Sequence, residues 1–404
     1  MTKAANEVVV ERRRAVIFVV LLGLVSLWAD VTYEGARSVI GPFLATLGAS
    51  GTVVGIVAGS GELLGYALRL LSGRIADRTR RYWALTLIGY GVNLLSVPAL
   101  AFAGHWSAAA FLIVAERAGK AIRTPARDAM LSFATHATGR GWGFGLHEAL
   151  DQVGATFGPL LVAALLGASV SYPRVFLFLG LPAMAALSLL LVARFLFPHP
   201  RAMEPLSEPL HAEGLPRRFW IYLLAASLVA LGYTDYPLMA FHFGRVGHVP
   251  AAWIAVGYAV AMAVDGVAAL AFGRWYDRSG IRVLAVSTLV TACFPFFAFA
   301  HSPGANWVGI VLWGAGMGAQ ESIFRAAVAS MVAPSQRATA YGVFHLAYGV
   351  TWFFGSSLMG ILYDRSLWSL VAFSAAVQWA AVPAFLVAAR TPLPASRHAP
   401  PRRS

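Results

Sequence analysis

The sequence ERAGKAIRTPARD, from Glu116 to Asp128, places six charged residues within thirteen positions of an otherwise very apolar chain. A helix that begins near Trp106 rises about 1.5 Å per residue, which puts Arg117 and Lys120 roughly 16 to 21 Å from its start. This depth is close to the middle of a hydrocarbon layer about 30 Å thick. The stretch therefore predicts a membrane-spanning helix with an ionisable centre.

Four of these charges recur at the helical spacing i, i+4, i+7 and i+11, namely Glu116, Lys120, Arg123 and Arg127. They therefore share one face of the helix. Such a face must contact protein or water, because ionisable groups are costly in the lipid core. Two interpretations stay open: a self-neutralised structural cluster, or a part of a transport pathway.

The whole chain has 404 residues, is 58% hydrophobic and 12% charged, and has a mean hydropathy of +0.68. This composition excludes an ordinary soluble protein and indicates a multi-pass membrane protein. The net charge of +13 is concentrated in short loops at alternate helix ends, so it indicates topology and not nucleic-acid binding.

Cys293 is the one cysteine, so no intramolecular disulfide can form. The dispersed histidines and the lack of a phosphate-binding loop predict no metal, no cofactor and no ATP hydrolysis.

Hydropathy and helix breakers predict twelve membrane spans, and hence an all-α membrane protein. The spans lie near residues 15–46, 51–72, 82–103, 106–131, 140–166, 173–196, 218–243, 251–272, 281–300, 306–332, 338–362 and 367–389. Gly41-Pro42 predicts a bend in the first span, which we expect to be retained because no cleavage site follows it. The arginine-rich connections predict a plasma (inner) membrane protein with both termini in the cytoplasm.

An internal repeat divides the chain. GRIADR at Gly73 to Arg78 recurs as GRWYDR at Gly273 to Arg278, 200 positions later. A second set of residues matches at a common offset of 197: Arg140, Gly145 and Gly158 with Arg337, Gly342 and Gly355. The repeat predicts two six-helix bundles, 1–197 and 218–404, joined by a proline-rich cytoplasmic linker at 198–217. Two related bundles around a midplane site are typical of secondary transporters.

Ionisable side chains at membrane depth in spans one and five are the candidates for proton coupling: Asp30, Glu34, His147, Glu148 and Asp151. An intramembrane carboxylate can bind and release a proton as its surroundings change, and a histidine and an aspartate one turn apart can titrate near neutral pH. A static charge network that ties spans one, four and five together is the alternative interpretation.

Polar and aromatic side chains are the candidates to line a substrate cavity: Arg37, Glu116, Arg117, Lys120, Arg123, Gln152, Tyr233, Asp235, Gln320, Glu321 and Tyr348. The second half is poorer in ionisable residues. We therefore expect the first half to carry ion coupling and the aromatic residues of the second half to shape an amphipathic wall. Helix packing or an interfacial belt is the alternative explanation for these aromatic residues.

GRIADRTRR after the second span resembles the signature loop of the major facilitator superfamily, and GRWYDR resembles a weaker second copy. GATFGP, from Gly154 to Pro159, resembles the motif associated with antiporters in that superfamily, with Leu160 and Leu161 in place of the usual glycine pair. Three first-half elements resemble a prokaryotic, largely uncharacterised subgroup: ADVTYEGARSVIGPFL, ERAGKAIRTPARDAM and GFGLHEALDQVGATFGP. The resemblance covers residues 15–390 and implies the major facilitator fold of two pseudo-symmetric six-helix bundles. It implies no particular substrate.

The resemblance also implies that the signature loop is a latch that holds the cytoplasmic side closed. Its candidate residues are Gly73, Asp77, Arg78, Arg81, Arg127, Asp277 and Arg278. Independently of the resemblance, the loop places charges at a membrane interface where ion pairs can form and break. An ordinary solvated loop is the alternative.

These features together predict a secondary active transporter, not an enzyme, that exports a small organic solute in exchange for protons as a monomer in the lipid bilayer. One alternative keeps the fold but predicts uptake or facilitated diffusion of an anionic solute, attracted by Arg117, Lys120 and Arg123. An alternative of another class is a transporter-derived receptor or a lipid-moving protein. A sealed cavity, or a lateral opening between helices, would favour that class.

Overall fold

The computed structural model of the chain describes residues 3–138, 140–198, 214–247, 249–332 and 337–391. Within these ranges the regular structure is helical, with one 3-10 turn at Leu100–Phe102 and sixteen α-helices. They are α1 (Lys3–Arg37), α2 (Ile40–Thr46), α3 (Gly51–Thr79), α4 (Tyr82–Ala99), α5 (Trp106–Thr138), α6 (Arg140–Gly167), α7 (Tyr172–Phe178), α8 (Gly180–Leu196), α9 (Arg217–Gly232), α10 (Tyr236–Val246), α11 (Ala251–Ser279), α12 (Arg282–Thr291), α13 (Phe294–Ala298), α14 (Pro303–Met331), α15 (Arg337–Arg365) and α16 (Leu367–Arg390).

In chain order these helices group into twelve segments that match the twelve predicted spans. Nine stretches of the described residues are long and apolar enough to cross a membrane. Three segments are not among these nine: Arg282–Ala298, which is apolar but shorter, α5, which contains the charged sequence Glu116 to Asp128, and α14. The prediction of an all-α membrane protein is confirmed.

Four of the twelve segments are broken into two helices, at α1/α2, α7/α8, α9/α10 and α12/α13. A proline follows each break: Pro42, Pro182, Pro237 and Pro295. Proline has no N–H, and its ring clashes with the carbonyl group four residues earlier, so the helix is interrupted about one turn before the proline. The bend predicted at Gly41-Pro42 therefore lies at Ser38 and Val39.

The two halves repeat one packing scheme. In the first half α1 packs on α6, α3 on α5, and α4 on α8; in the second half α9 packs on α15, α11 on α14, and α12 on α16. The matched glycines of the sequence repeat make equivalent contacts, because a Cβ on Gly158 would collide with the Val31 carbonyl oxygen and one on Gly355 with that of Leu231. Small residues permit such close helix approach. The bundles are therefore pseudo-symmetric, as predicted.

The most extensive contacts between the halves are those of α3 with α15, α6 with α11, and α2 with α10, and α3 also contacts α10. The first six segments end at Leu196, and the last six begin at Arg217. Residues 199–213, which form most of the predicted linker, lie outside the described residues. The division into 1–197, 198–217 and 218–404 therefore stays a prediction.

Candidate functional site

A cavity of about 550 Å³ lies between the two halves. Its volume is that of a site for a small organic molecule. Five cationic and eight carboxylate side chains contribute to its wall: Arg37, Arg69, Arg117, Lys120 and Arg127, with Asp30, Glu34, Glu62, Asp128, Glu148, Asp151, Asp265 and Glu321. Glu148 and Glu321 are exposed and lie toward the end of the bundle that carries Arg78. The cavity therefore opens toward this end, here called the basic end.

The opposite end of the interface, here called the capped end, is closed by Asp364. Its carboxylate accepts hydrogen bonds from the backbone N–H groups of Gly51, at 2.9 Å, and Thr52, at 2.7 Å, and from the Thr52 hydroxyl at 2.6 Å. These N–H groups belong to the first turn of α3, where the helix itself supplies no acceptor. Asp364 belongs to α15, so the second half caps a helix of the first. The contact between α2 and α10 closes the same end.

Glu34 joins the two halves in the cavity wall. The Tyr258 hydroxyl of α11 donates a hydrogen bond to Glu34 Oε2 at 2.5 Å, and Lys120 Nζ lies 3.6 Å from Oε1. Arg37, one turn later in α1, lies 3.9 Å from the same carboxylate. Since Glu34 is only 6% exposed, these partners and not bulk water must compensate its charge.

Arg117 is the centre of a second network, on the α3 side of the wall. It lies 3.8 Å from Glu62 and 3.4 Å from Glu116, and Arg37 lies 3.4 Å from Glu62. Asn93 Nδ2 of α4 donates to Glu116 Oε1 at 2.7 Å. The buried charges therefore neutralise one another, and Glu116 faces α4 and is not among the cavity-lining residues.

Arg123 packs behind the cavity wall. It is 1% exposed, and its guanidinium carbon lies 4.1 Å from the ring centre of Tyr90 and 5.8 Å from that of Tyr33. Lys120 Nζ also lies over the Tyr33 ring, 4.0 Å from its centre. Cation–π attraction compensates part of the cost of burying these charges. Lys120 therefore lines the cavity, whereas Arg123 supports the wall from behind.

Asp30 and Asp151 bring α1 and α6 together at the cavity. A Cβ on Gly154 would lie 2.8 Å from Asp30 Cβ, and Asp151 stands one helical turn before Gly154, on the same face. The two carboxylates repel each other, and each has a buried oxygen without a hydrogen-bond partner. On the other side of Asp151, His147 Nε2 lies 3.7 Å from its carboxylate and 3.4 Å from Ser26 Oγ.

Candidates of the second half divide between the cavity wall and the packing core. Tyr348 donates to Gln320 Oε1 at 2.7 Å, and both residues line the cavity. Tyr233 is fully buried, donates to the carbonyl oxygen of Trp313, and is not among the cavity-lining residues. Tyr233 therefore packs between helices, as the alternative interpretation proposed, and does not line the cavity.

Asp235 lines a small neighbouring cavity toward the capped end. Its carboxylate accepts a hydrogen bond from Trp352 Nε1 at 2.9 Å and another from the Ser356 hydroxyl. Both partners belong to α15. Asp235, which lies just before α10, is therefore hydrogen-bonded to α15 within the second half.

The predicted latch residues lie at the basic end. Helix α3 continues through Gly73 and ends before Arg80, which has a left-handed φ of 56°. The exposed members of the set are Arg78, Arg81, Asp277 and Arg278. Arg127 faces the cavity and donates to Ser26 Oγ at 2.9 Å. The side chain of Asp77 lies outside the described residues, so the latch stays a prediction.

Tyr258 and Asn93 make site contacts that the sequence did not reveal. Their partners, Glu34 and Glu116, lie on other helices, so no local spacing links them. One signal was present for Tyr258, since it stands seven residues before Asp265 and therefore shares a helix face with it. Among the side chains described, no group of three or more histidine, cysteine, aspartate or glutamate residues is arranged to hold a metal ion.

Comparison with known proteins agrees with this architecture. The profile of the Major Facilitator Superfamily matches residues 19–356 and 219–404. An uncharacterized protein of Mycobacterium tuberculosis is 45% identical over 361 residues, 88% of each chain. An uncharacterized MFS-type transporter of Methanocaldococcus jannaschii is 25% identical over 357 residues, 86% of this chain and 89% of that protein. The crystal structure of the nucleoside transporter NupG superposes with a TM-score of 0.75 at 14% identity, over 93% of this chain and 100% of that chain, which is a likeness of fold alone.

Two pseudo-symmetric helical bundles around a charged central cavity define a membrane transporter, and not an enzyme. The chain belongs to the Major Facilitator Superfamily, as the signature loop predicted.

Proposed function

We propose that this transporter is secondary active and exports a small organic solute in exchange for protons, acting as a monomer. The observation that carries the proposal is the juxtaposition of Asp30 and Asp151 across α1 and α6, in the wall of the cavity. No lysine or arginine side chain that the structure describes lies within ion-pair distance of either carboxylate. Two such carboxylates at membrane depth are costly, and a bound proton removes their mutual repulsion. The pair is therefore suited to carry a proton in one state and release it in another.

Lys120 supplies the variable partner in this scheme. Its charge attracts Asp30 and, after those of Arg127 and Arg123, also Asp151, and its ammonium group lies 3.6 Å from Glu34. A rearrangement that moves this cation toward the pair favours proton release. A tenfold change in proton affinity corresponds to about 1.4 kcal/mol. A small displacement of one helix is therefore sufficient to link proton release to a change of state.

The proposed direction, export, is supported by the resemblance of Gly154 to Pro159 to an antiporter motif, and the two ends of the cavity are compatible with it. The positive-inside rule places the basic end in the cytoplasm, and the cavity opens toward this end while Asp364 and the α2–α10 contact close the other. In the proposed cycle a solute enters from the cytoplasm in this state. Opening of the capped end would then release it outside, which completes a cycle of export.

The alternative of an anionic solute has less support. Arg117 has Glu62 and Glu116 as partners, Lys120 has Glu34, and Arg123 is enclosed by aromatic rings. The cations that would attract an anion are thus compensated within the wall. Carboxylates also outnumber cations among the cavity-lining residues.

The test uses purified protein in liposomes with an imposed pH gradient, a panel of amines, neutral solutes and carboxylates, and a trapped pH-sensitive dye. We expect at least one solute to drive proton movement in the wild type. Asp30→Asn or Asp151→Asn should abolish pH-driven accumulation and preserve solute exchange at equal pH. Asp277→Asn, which removes an exposed carboxylate outside the cavity, is the matched control. Native accumulation with its native pH dependence in both amide variants would refute the coupling assignment.

A further inference from the structure

Asp265 is a buried carboxylate that the coupling scheme leaves unused. It lies on α11, is 2% exposed, and faces the cavity. Its Oδ1 atom has no hydrogen-bond partner, and it occupies the space left by Gly318 of α14, where a Cβ would lie only 2.9 Å away. The packing of α11 on α14 therefore holds the carboxylate in place but leaves its Oδ1 atom without a hydrogen-bond donor.

The charges around Asp265 are themselves negative. Its electrostatic neighbours are Glu321, Glu148 and Glu34. Among the described side chains, no lysine or arginine lies within ion-pair distance of it. A buried carboxylate in such surroundings requires either a proton or a cationic ligand.

Gln152 completes the same part of the wall from the first half. Its side chain reaches Asp265 across the α6–α11 contact, and its Oε1 lies 3.6 Å from where a Cβ on Gly266 would be. Gln152 Oε1 is also buried without a hydrogen-bond donor. Two acceptor atoms in this part of the wall, Gln152 Oε1 and Asp265 Oδ1, therefore lack donors, while the Gln152 side chain also hydrogen-bonds to the Asp265 carboxylate. A group with several N–H donors satisfies both.

The remainder of the wall suits an apolar body attached to such a group. Phe324, Phe344, Tyr348 and Trp352 line the cavity on the second half, and Tyr66 lines it on the first. Aromatic faces attract both apolar surface and cations. The excess of carboxylates over cations in the wall favours a positively charged molecule over a neutral one.

We infer that Asp265 and Gln152 bind the protonated amine of a small amphipathic solute whose apolar part contacts the aromatic wall. The inference rests on the proposed transport function, because it names the solute class for the same cavity. Asp30 and Asp151 then serve protons, and Asp265 serves the substrate.

The test is calorimetric titration of the full chain in detergent at neutral pH, which requires no transport. The probes are phenethylamine, tryptamine and hexylamine, each with its alcohol counterpart, phenethyl alcohol, tryptophol and hexanol. We expect at least one amine to bind about tenfold more tightly than its alcohol, since a buried charged pair contributes that much or more. Asp265→Asn should remove this preference. Asp277→Asn, which removes the same charge at an exposed site outside the cavity, should change amine affinity by no more than about threefold.

Gln152→Met retains the shape and removes the amide acceptor, so it should weaken amine binding by about threefold to tenfold and leave alcohol binding unchanged. If Asp265→Asn does not fold, the test rests on two measurements: amine binding by Gln152→Met, and the ratio of amine to alcohol affinity in the wild type. Equal affinity for every amine and its alcohol, or an amine preference that survives in Asp265→Asn, would overturn the inference.

The two proposals fail separately. Proton-coupled flux of a carboxylate or neutral solute, with no preferential amine binding, would overturn the amine site and leave the coupling proposal standing. Amine binding that depends on Asp265, with no pH-driven flux, would overturn the coupling proposal and leave the amine site standing.

Discussion

The Tyr258 hydroxyl, on α11, donates a 2.5 Å hydrogen bond to Glu34 on α1, and so ties the second half of the chain to the ionisable wall of the first. The bond forms while the capped end is closed. It must lengthen or break if the two helices separate. The contact is therefore a point at which the state of Glu34 and the arrangement of the halves are linked.

A cysteine at position 54 can report the state of the capped end. Val54 is 1% exposed and lines the small cavity near that end. The single natural cysteine, Cys293, is replaced by serine to give a background without thiols. The rate at which a membrane-impermeant maleimide labels Val54→Cys then rises with the population in which the capped end is open.

Tyr258→Phe should increase the labelling rate at position 54. A hydrogen bond to a charged group contributes about 1.5 to 3 kcal/mol, so its loss favours the state with separated halves by about tenfold or more. Tyr276→Phe is the matched control, because the Tyr276 hydroxyl contacts Ser330 Oγ at 2.9 Å at an exposed site. Equal labelling of the two variants would show that the Tyr258 contact does not depend on the state.

Asp364→Ala should also increase labelling at position 54, because it removes the acceptor for the first N–H groups of α3. Loss of a helix cap costs about 1 kcal/mol, which predicts an increase of roughly fivefold. Ser366→Ala removes a cap within one half, where the Ser366 hydroxyl accepts from Ser369 N–H at 3.3 Å. Labelling that rises as much in this control as in Asp364→Ala would contradict a role in closing the interface.

Asp77→Asn should have the opposite effect. If Asp77 helps to close the basic end, its neutralisation disfavours the state with the capped end open, so labelling at position 54 and transport should both fall while folded protein stays in the membrane. Asp277→Asn, in the weaker second copy of the loop, is the comparison. Wild-type labelling and flux in Asp77→Asn would exclude the latch.

Arg117→Met should lower the melting temperature far more than Arg174→Met, a substitution at an exposed arginine. It leaves the buried Glu116 with Asn93 as its remaining hydrogen-bonding partner, and breaking a buried ion pair costs on the order of 3 kcal/mol. Adding Glu116→Gln removes the uncompensated charge and should restore most of the stability. No recovery in the double variant would show that Arg117 acts through a different contact.

The sequence predicted the fold well because its signals are strong and local. Hydropathy located the twelve segments, and each break lies one turn before a proline. The repeat placed Gly158 and Gly355 at equivalent close contacts. Asp30, Glu34 and Asp151 all line the cavity, as their depth and helical faces suggested.

The division of the charged face of α5 could not be predicted. Glu116, Lys120, Arg123 and Arg127 do share one stripe, but the stripe lies at the border between the cavity and α4. Residues 116 and 123 turn toward α4 and are buried there, whereas Lys120 and Arg127 line the cavity. Periodicity fixes relative directions on a helix, but neighbouring helices decide which face each direction meets.

The claim that the cavity is accessible alternately from two ends is tested most directly by locking one of them. Thr52→Cys and Asp364→Cys, in the background lacking Cys293, replace two side chains whose oxygens lie 2.6 Å apart. A short bifunctional thiosulfonate then links the two positions, and dithiothreitol releases them. Proton movement driven by the transported solutes is measured in liposomes before and after each step. We expect the link to abolish transport and its reduction to restore it, whereas full transport by the linked protein would contradict the account.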